Sequence, residues 1–131
     1  MALFRPCAGL RYTPHIRALT VSTFSDRVTS IGVDPDGDVV AGGVFAGSVD
    51  VGGQILTEGG LYAAFFAKYD PSGALLLSAS YGSDDRSWLT TVAADSLSHV
   101  FLLGPFAGTI DIDGPLVSAG EDDVYLAKIA P

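Results

Sequence analysis

Three aspartates at alternating positions, Asp34, Asp36 and Asp38 in the stretch DPDGD, are the residues of this chain best placed to do chemistry. Carboxylate oxygens spaced this way could converge on a hard cation such as calcium, which takes several oxygen ligands. An EF-hand-like loop would also need a glycine after the third acid and a closing acid further on. Val39, Val40 and Ala41 follow instead. The competing reading is a hairpin turn, in which Pro35 presets one backbone dihedral and Gly37 accepts a positive one. The turn is the preferred reading, with no tight metal site and no cofactor expected. Asp34, Asp36 and Asp38 stay as calcium candidates only.

The other chemistry-bearing residues are sparser. Asp84 and Asp85 in SDDR (83–86) could be paired carboxylates for glycoside hydrolysis, where an acid and a base flank the scissile bond. Adjacent residues on an extended chain point in opposite directions, so these two cannot flank one substrate. Asp85 beside Arg86 reads better as a solvated loop, and Glu121, Asp122 and Asp123 as acids that keep a sheet edge soluble. His15 and His99 lack a second histidine at ligand spacing, and the single Cys7 allows neither an internal disulfide nor a cysteine zinc site. Neither a Gly-x-Ser-x-Gly elbow nor a Gly-x-x-x-x-Gly-Lys phosphate loop is present. Trp88, Phe65, Phe66, Tyr69 and Tyr81 could stack on sugar rings, although aromatics at alternating strand positions more often fill a core. No residue set points to catalysis.

The elements that must carry these residues are strands. RVTSIGVD (27–34) alternates, with Val28, Ser30 and Gly32 on one face and Thr29, Ile31 and Val33 on the other. DVVAGGVF (38–45) returns as a second strand, followed by SVDVGG with Val49 and Val51 facing one way. YAAFFAKYD supplies a third main strand, PSG a turn, and ALLLSASYG a fourth. Sixteen Gly and seven Pro interrupt the chain too often for long helices. Asn is absent, so the tight turns fall to Asp, Ser, Gly and Pro.

The chain says this twice. FAGSVDVGG (45–53) and FAGTIDIDG (106–114) agree at five of nine positions, and three of the rest exchange Ser for Thr or Val for Ile. Asp26-Arg27 returns as Asp85-Arg86, Asp34 as Asp95, and Ala67-Lys68 as Ala127-Lys128. A period of about 60 residues marks a repeat architecture whose units pack on their neighbours. Unit one spans about 26–84 and unit two about 85–131. The expectation is an all-β fold of two four-stranded antiparallel β-propeller blades, a partial propeller that closes by oligomerisation or belongs to a larger ring.

GVDPDGDVVAGGVFAGSVDVGG, with FFAKYDPSGALLLSASYGSDDR after it, resembles the SBBP-type β-propeller repeats of bacterial cell-surface and secreted proteins. The features that carry the resemblance are the Asp-x-x-Gly turn, Phe-x-Gly-x-Val-Asp, Ala-Lys-Tyr-Asp with its following Gly turn, and the Asp-Asp-Arg opening the next unit. The resemblance covers about 19–131 and implies a cell-surface or secreted setting, without naming an activity. Two positions depart from it. Leu77 stands where the family carries Trp, and DSLS (95–98) replaces DPDG, leaving no glycine for the left-handed position of that turn.

Charge narrows the partners. Residues 1–25 carry Arg5, Arg11 and Arg17 and no acid, so 26–131 hold −11 of a whole-chain −8. So acidic a repeat region repels phosphate backbones, which argues against nucleic acid. No apolar run approaches the roughly 20 residues of a membrane-spanning helix. Residues 1–17 are expected to be an unstructured basic leader without the apolar stretch of a secretory signal; it resembles a transit peptide or an untidy start on a gene fragment. ALTVSTF (18–24) matches LLLSASY, making 18–25 a leading fourth strand expected to pair with about 123–129, of the same chain or of a neighbouring one, and complete the last blade. The functional expectation is a non-catalytic module that self-associates into a closed homo-oligomer, roughly two to four chains, and binds a protein or glycan. The alternatives are a carbohydrate-directed hydrolase using loop acids, or a truncated piece of a larger surface protein.

Overall fold

A computed structural model describes residues 20–21 and 26–131. The leader 1–17 and most of the leading strand lie outside the described residues. The strands run β1 (Thr20–Val21), β2 (Arg27–Val33), β3 (Val39–Phe45), β4 (Ser48–Asp50), β5 (Ile55–Thr57), β6 (Ala63–Tyr69) and β7 (Leu75–Tyr81). They continue as β8 (Arg86–Ser87), β9 (Thr91–Ala94), β10 (Val100–Ala107), β11 (Thr109–Asp111), β12 (Pro115–Val117) and β13 (Asp123–Ile129). The described residues contain no helix, so the fold is all-β, built from antiparallel sheets of which none is closed.

Unit one forms sheet I, in the order β2-β3-β6-β7. Unit two forms sheet II, in the order β9-β10-β13, with β8 pairing the far end of β10. β8 and β9 act as one interrupted edge strand, because Trp88 N–H bonds Pro105 O at 2.9 Å and Thr90 N–H bonds Leu103 O at 2.8 Å between them. Sheet II therefore has three main strands among the described residues, those that unit two itself supplies, without the leading strand that was expected to make a fourth. The expected pairing of the leading strand also differs. β1 pairs with β4, Thr20 opposite Asp50 and Val21 opposite Val49, and not with β13.

The two sheets stack face to face. The side of sheet II that bears Leu89, Val92, Leu102 and Tyr125, its front, packs on the back of sheet I, which bears Val40 and Phe66. All seven residues of β6 are buried, since both faces of that strand are covered. On the front of sheet I lies the β4–β5 hairpin, sealing a second core of Phe45, Val49, Val51, Leu56, Phe65 and Tyr69. The hairpin is pinned by Tyr69 Oη to Val51 O at 2.6 Å and Ser80 Oγ to Glu58 Oε1 at 2.7 Å. The β11–β12 hairpin takes the same place in unit two, where Ile110 joins the core between the sheets.

One alternation fails. The register of β2 against β3 slips between Val28 and Ser30, a β-bulge at Thr29. Val28 consequently shares the front face with Ile31 and Val33, which strict alternation does not give. Gly43 makes the bulge possible, since a Cβ there would collide with the Arg27 carbonyl. Gly104 meets the Trp88 carbonyl in the same way in unit two.

Candidate functional site

The aspartates build turns. In the β2–β3 turn, Asp34 Oδ1 accepts N–H bonds from Asp36 at 2.9 Å and Asp38 at 3.0 Å, while Gly37 N–H bonds Asp34 O at 3.0 Å. Gly37 takes a φ of 82°, as the turn reading requires. Asp70 repeats the pattern with Ser72 and Ala74 between β6 and β7. Asp95 repeats it with Leu97 and His99. Unit two thus makes the turn despite DSLS, and Ser98 takes the left-handed position itself at φ 63°. Its hydroxyl donates to Asp36 Oδ2 at 2.9 Å, so the turn of one unit is tied to the turn of the other.

Asp34, Asp36 and Asp38 do come together, each offering an oxygen within 4.8 Å of the others. The cation among them is Lys68. Its ammonium lies 2.8 Å from Asp34 Oδ2 and 3.3 Å from Asp38 Oδ2, with the Lys68 and Asp34 side chains 8% and 0% exposed. Both oxygens of Asp34 are thereby engaged, Oδ1 by backbone and Oδ2 by the ammonium. Lys68 and then the two backbone N–H groups hold Asp34 below the usual carboxylate range, against the burial that raises it. Asp34 in turn raises Lys68. The sequence reading missed Lys68, although a lysine in a strand otherwise apolar and aromatic, facing a turn of three acids, was the available signal.

Other acids are similarly occupied. Asp84 Oδ1 accepts the Thr109 N–H, and Asp85 and Asp122 flank Arg86 at 3.4 and 3.2 Å. Asp84 and Asp85 serve different elements. Asp123 Oδ2 accepts the Ala119 N–H at 2.7 Å, and Asp95 Oδ2 meets His99 Nδ1 at 2.8 Å. The buried Ser87 is also structural: it receives the Ala64 N–H and donates to the Tyr81 carbonyl, linking sheet I to the edge of sheet II.

Of the aromatics, Phe65, Phe66 and Tyr69 are buried as core. Tyr81 stacks on Phe66, with ring centroids 6.4 Å apart. Trp88 differs. It is 39% exposed and lies beside the equally exposed Tyr62, ring centroids 6.4 Å apart, on a surface that also carries Arg86. Tyr62 was not singled out from the sequence, because the two come together only where the chain at Tyr62 bridges to Arg86.

Comparison with protein-family models and with curated proteins finds no match to this chain. No helix among the described residues is long and apolar enough to cross a membrane.

Proposed function

We propose that this chain is a non-catalytic β-propeller repeat module of the SBBP-like type, each unit one blade, which works by contact with a partner and not by turnover. The observation that carries this reading is the employment of the carboxylates: the acids suited to acid–base work are held by turn N–H groups, by Lys68 or by Arg86. Tyr62 and Trp88 are aromatics left exposed for a partner. The Tyr62–Trp88 pair, with Arg86 and Asp122 beside it, suits a sugar ring, which stacks on aromatic faces and hydrogen-bonds at its rim. A glycan array probed with the full chain, followed by Trp88→Ala, tests this. Binding that the variant loses is the expected result. Turnover of chromogenic glycosides would replace the module with a hydrolase, and binding confined to proteins would move the partner to that class.

A further inference from the structure

Among the described residues, the front of sheet I is open along β2, beside the β4–β5 hairpin, and the back of sheet II is open too; these are the two halves of a junction that the chain already contains. Where sheet II meets sheet I, Leu89 and Val92 on the front of sheet II are 1% and 6% exposed, pressed against Val40, Gly42 and Phe66. The counterparts of Leu89 and Val92 in unit one are Val28 and Ile31, on the front of sheet I, 49% and 68% exposed. The counterparts of Val40, Gly42 and Phe66 are Phe101, Leu103 and Leu126, on the back of sheet II, where Leu126 is 71% exposed. Among the described residues, the knobs of unit one have no receiving face, and the receiving face of unit two has no knobs.

We infer that the front of sheet I in one copy of this chain docks on the back of sheet II in a second copy, head to tail, in the geometry by which sheet II docks on sheet I. The inference rests on the repeat-module reading above. Three further observations support a second copy as the occupant. The polar groups of the internal junction are kept: Thr29 Oγ1 donates to the Leu89 carbonyl, and Ser30 Oγ accepts the Val92 N–H at 3.1 Å. Thr90 stands in the repeat position of Thr29, exposed and hydroxyl-bearing, to meet the Val28 carbonyl of the next copy, while Thr91, in the position of Ser30, already lies 3.5 Å from Ser30 Oγ within the chain. The fit is also adjusted for size. A Cβ on Gly42 would overlap Leu89, whereas Leu103 in the open face is matched by the shorter Val28.

The third observation is the path of the chain. Ser83, arriving from sheet I, bridges to Ile110 in the unit-two hairpin. Val21 bridges to Val49, the counterpart of Ile110, in the unit-one hairpin. Each hairpin thus takes an antiparallel bridge from chain that precedes its unit. A junction between unlike faces repeats at every copy and closes into a ring where its rotation allows.

Sedimentation of the full chain, and of Ile31→Arg and Leu126→Arg, tests the junction. The wild type is expected at a whole multiple, at least twofold, of the 13.5 kDa chain. Each variant should be a folded monomer, and an equimolar mixture should form a dimer through the one intact front and the one intact back. Val33→Arg with Val124→Arg gives a second pair at exposed positions if either first variant misfolds. A wild-type monomer, a single variant that keeps the wild-type mass, or a mixture that stays monomeric overturns the proposal. A monomer with an intact β-sheet spectrum defeats the assembly alone. Leu89→Ala without loss of stability would defeat the module reading itself, because the two sheets would then not depend on their packing.

Discussion

At the scale of single residues, a lysine sits among the acids of one turn and a serine stands where the matching turn has glycine. Lys68 is buried between Asp34 and Asp38, so Lys68→Met leaves two carboxylates without their counter-ion. Breaking a buried pair from one side costs about 3–5 kcal/mol, and urea unfolding of the variant should show a loss of that order. Because the ammonium already fills the cluster, calcium should leave the wild-type melt unchanged. A calcium shift abolished by Asp36→Ala would instead assign the cluster to metal. Ser98 is the second case. An L-residue in the left-handed region costs roughly 1–2 kcal/mol, and the bond to Asp36 offsets part of this. Ser98→Ala keeps the backbone cost and loses the bond, so it should destabilise by about 1 kcal/mol. Ser98→Gly loses both and should come out nearer neutral, which denaturant midpoints of the two variants can resolve.

At the scale of elements, the strands and their repetition were legible because alternation and turn chemistry are local. FAGSVDVGG and FAGTIDIDG adopt the same strand-and-hairpin start, and the Asp34, Asp70 and Asp95 turns share one hydrogen-bond pattern. The bulge at Thr29 was not legible, since it depends on the carbonyl of Arg27 lying against Gly43 across the ladder. Lys68 and the Tyr62–Trp88 pair were missed for the same reason: each is completed by residues distant in sequence. Packing between elements also sets the most sensitive joint of the fold, where Leu89 fills the space above Gly42. Gly42→Ala forces its new Cβ into Leu89, and overpacking of this kind costs typically 1–3 kcal/mol. Leu89→Ala removes a buried side chain and costs about 2–5 kcal/mol. Each change relieves the other, so the double variant should be more stable than the sum of the two losses predicts. Strict additivity in a double-mutant cycle would mean that the two residues do not share the joint.

At the scale of the whole molecule, the acids that shape the turns also set the response to pH. Asp34, Asp50, Asp70 and Asp95 all sit below the ordinary value of 3.8. Lys68 lowers Asp34 most, the Gly53 and Gly52 N–H groups lower Asp50, and the Ser72 hydroxyl leads at Asp70. At Asp95 burial pushes upward, and the N–H groups of His99 and Leu97 with the His99 ring outweigh it. A depressed folded-state value means stability that is fully present above the unfolded value and lost as pH falls through the folded one. A second effect runs the other way. The chain carries −8 at neutral pH and reaches zero charge near pH 4.3, so mild acidification relieves self-repulsion. The two effects act in different windows. Charge relief operates between neutrality and about pH 4.3, and turn loss sets in as pH approaches 3.8 and deepens below it. Thermal melts followed by circular dichroism should therefore hold level or rise slightly from pH 7 to about pH 4.5, then fall steeply below pH 3.8. Asp70→Ser removes one of these carboxylates from a turn that is not paired to a lysine, so it should lower the melt at pH 7 while flattening the acid limb. An acid limb as steep as that of the wild type would separate the turns from the acid response.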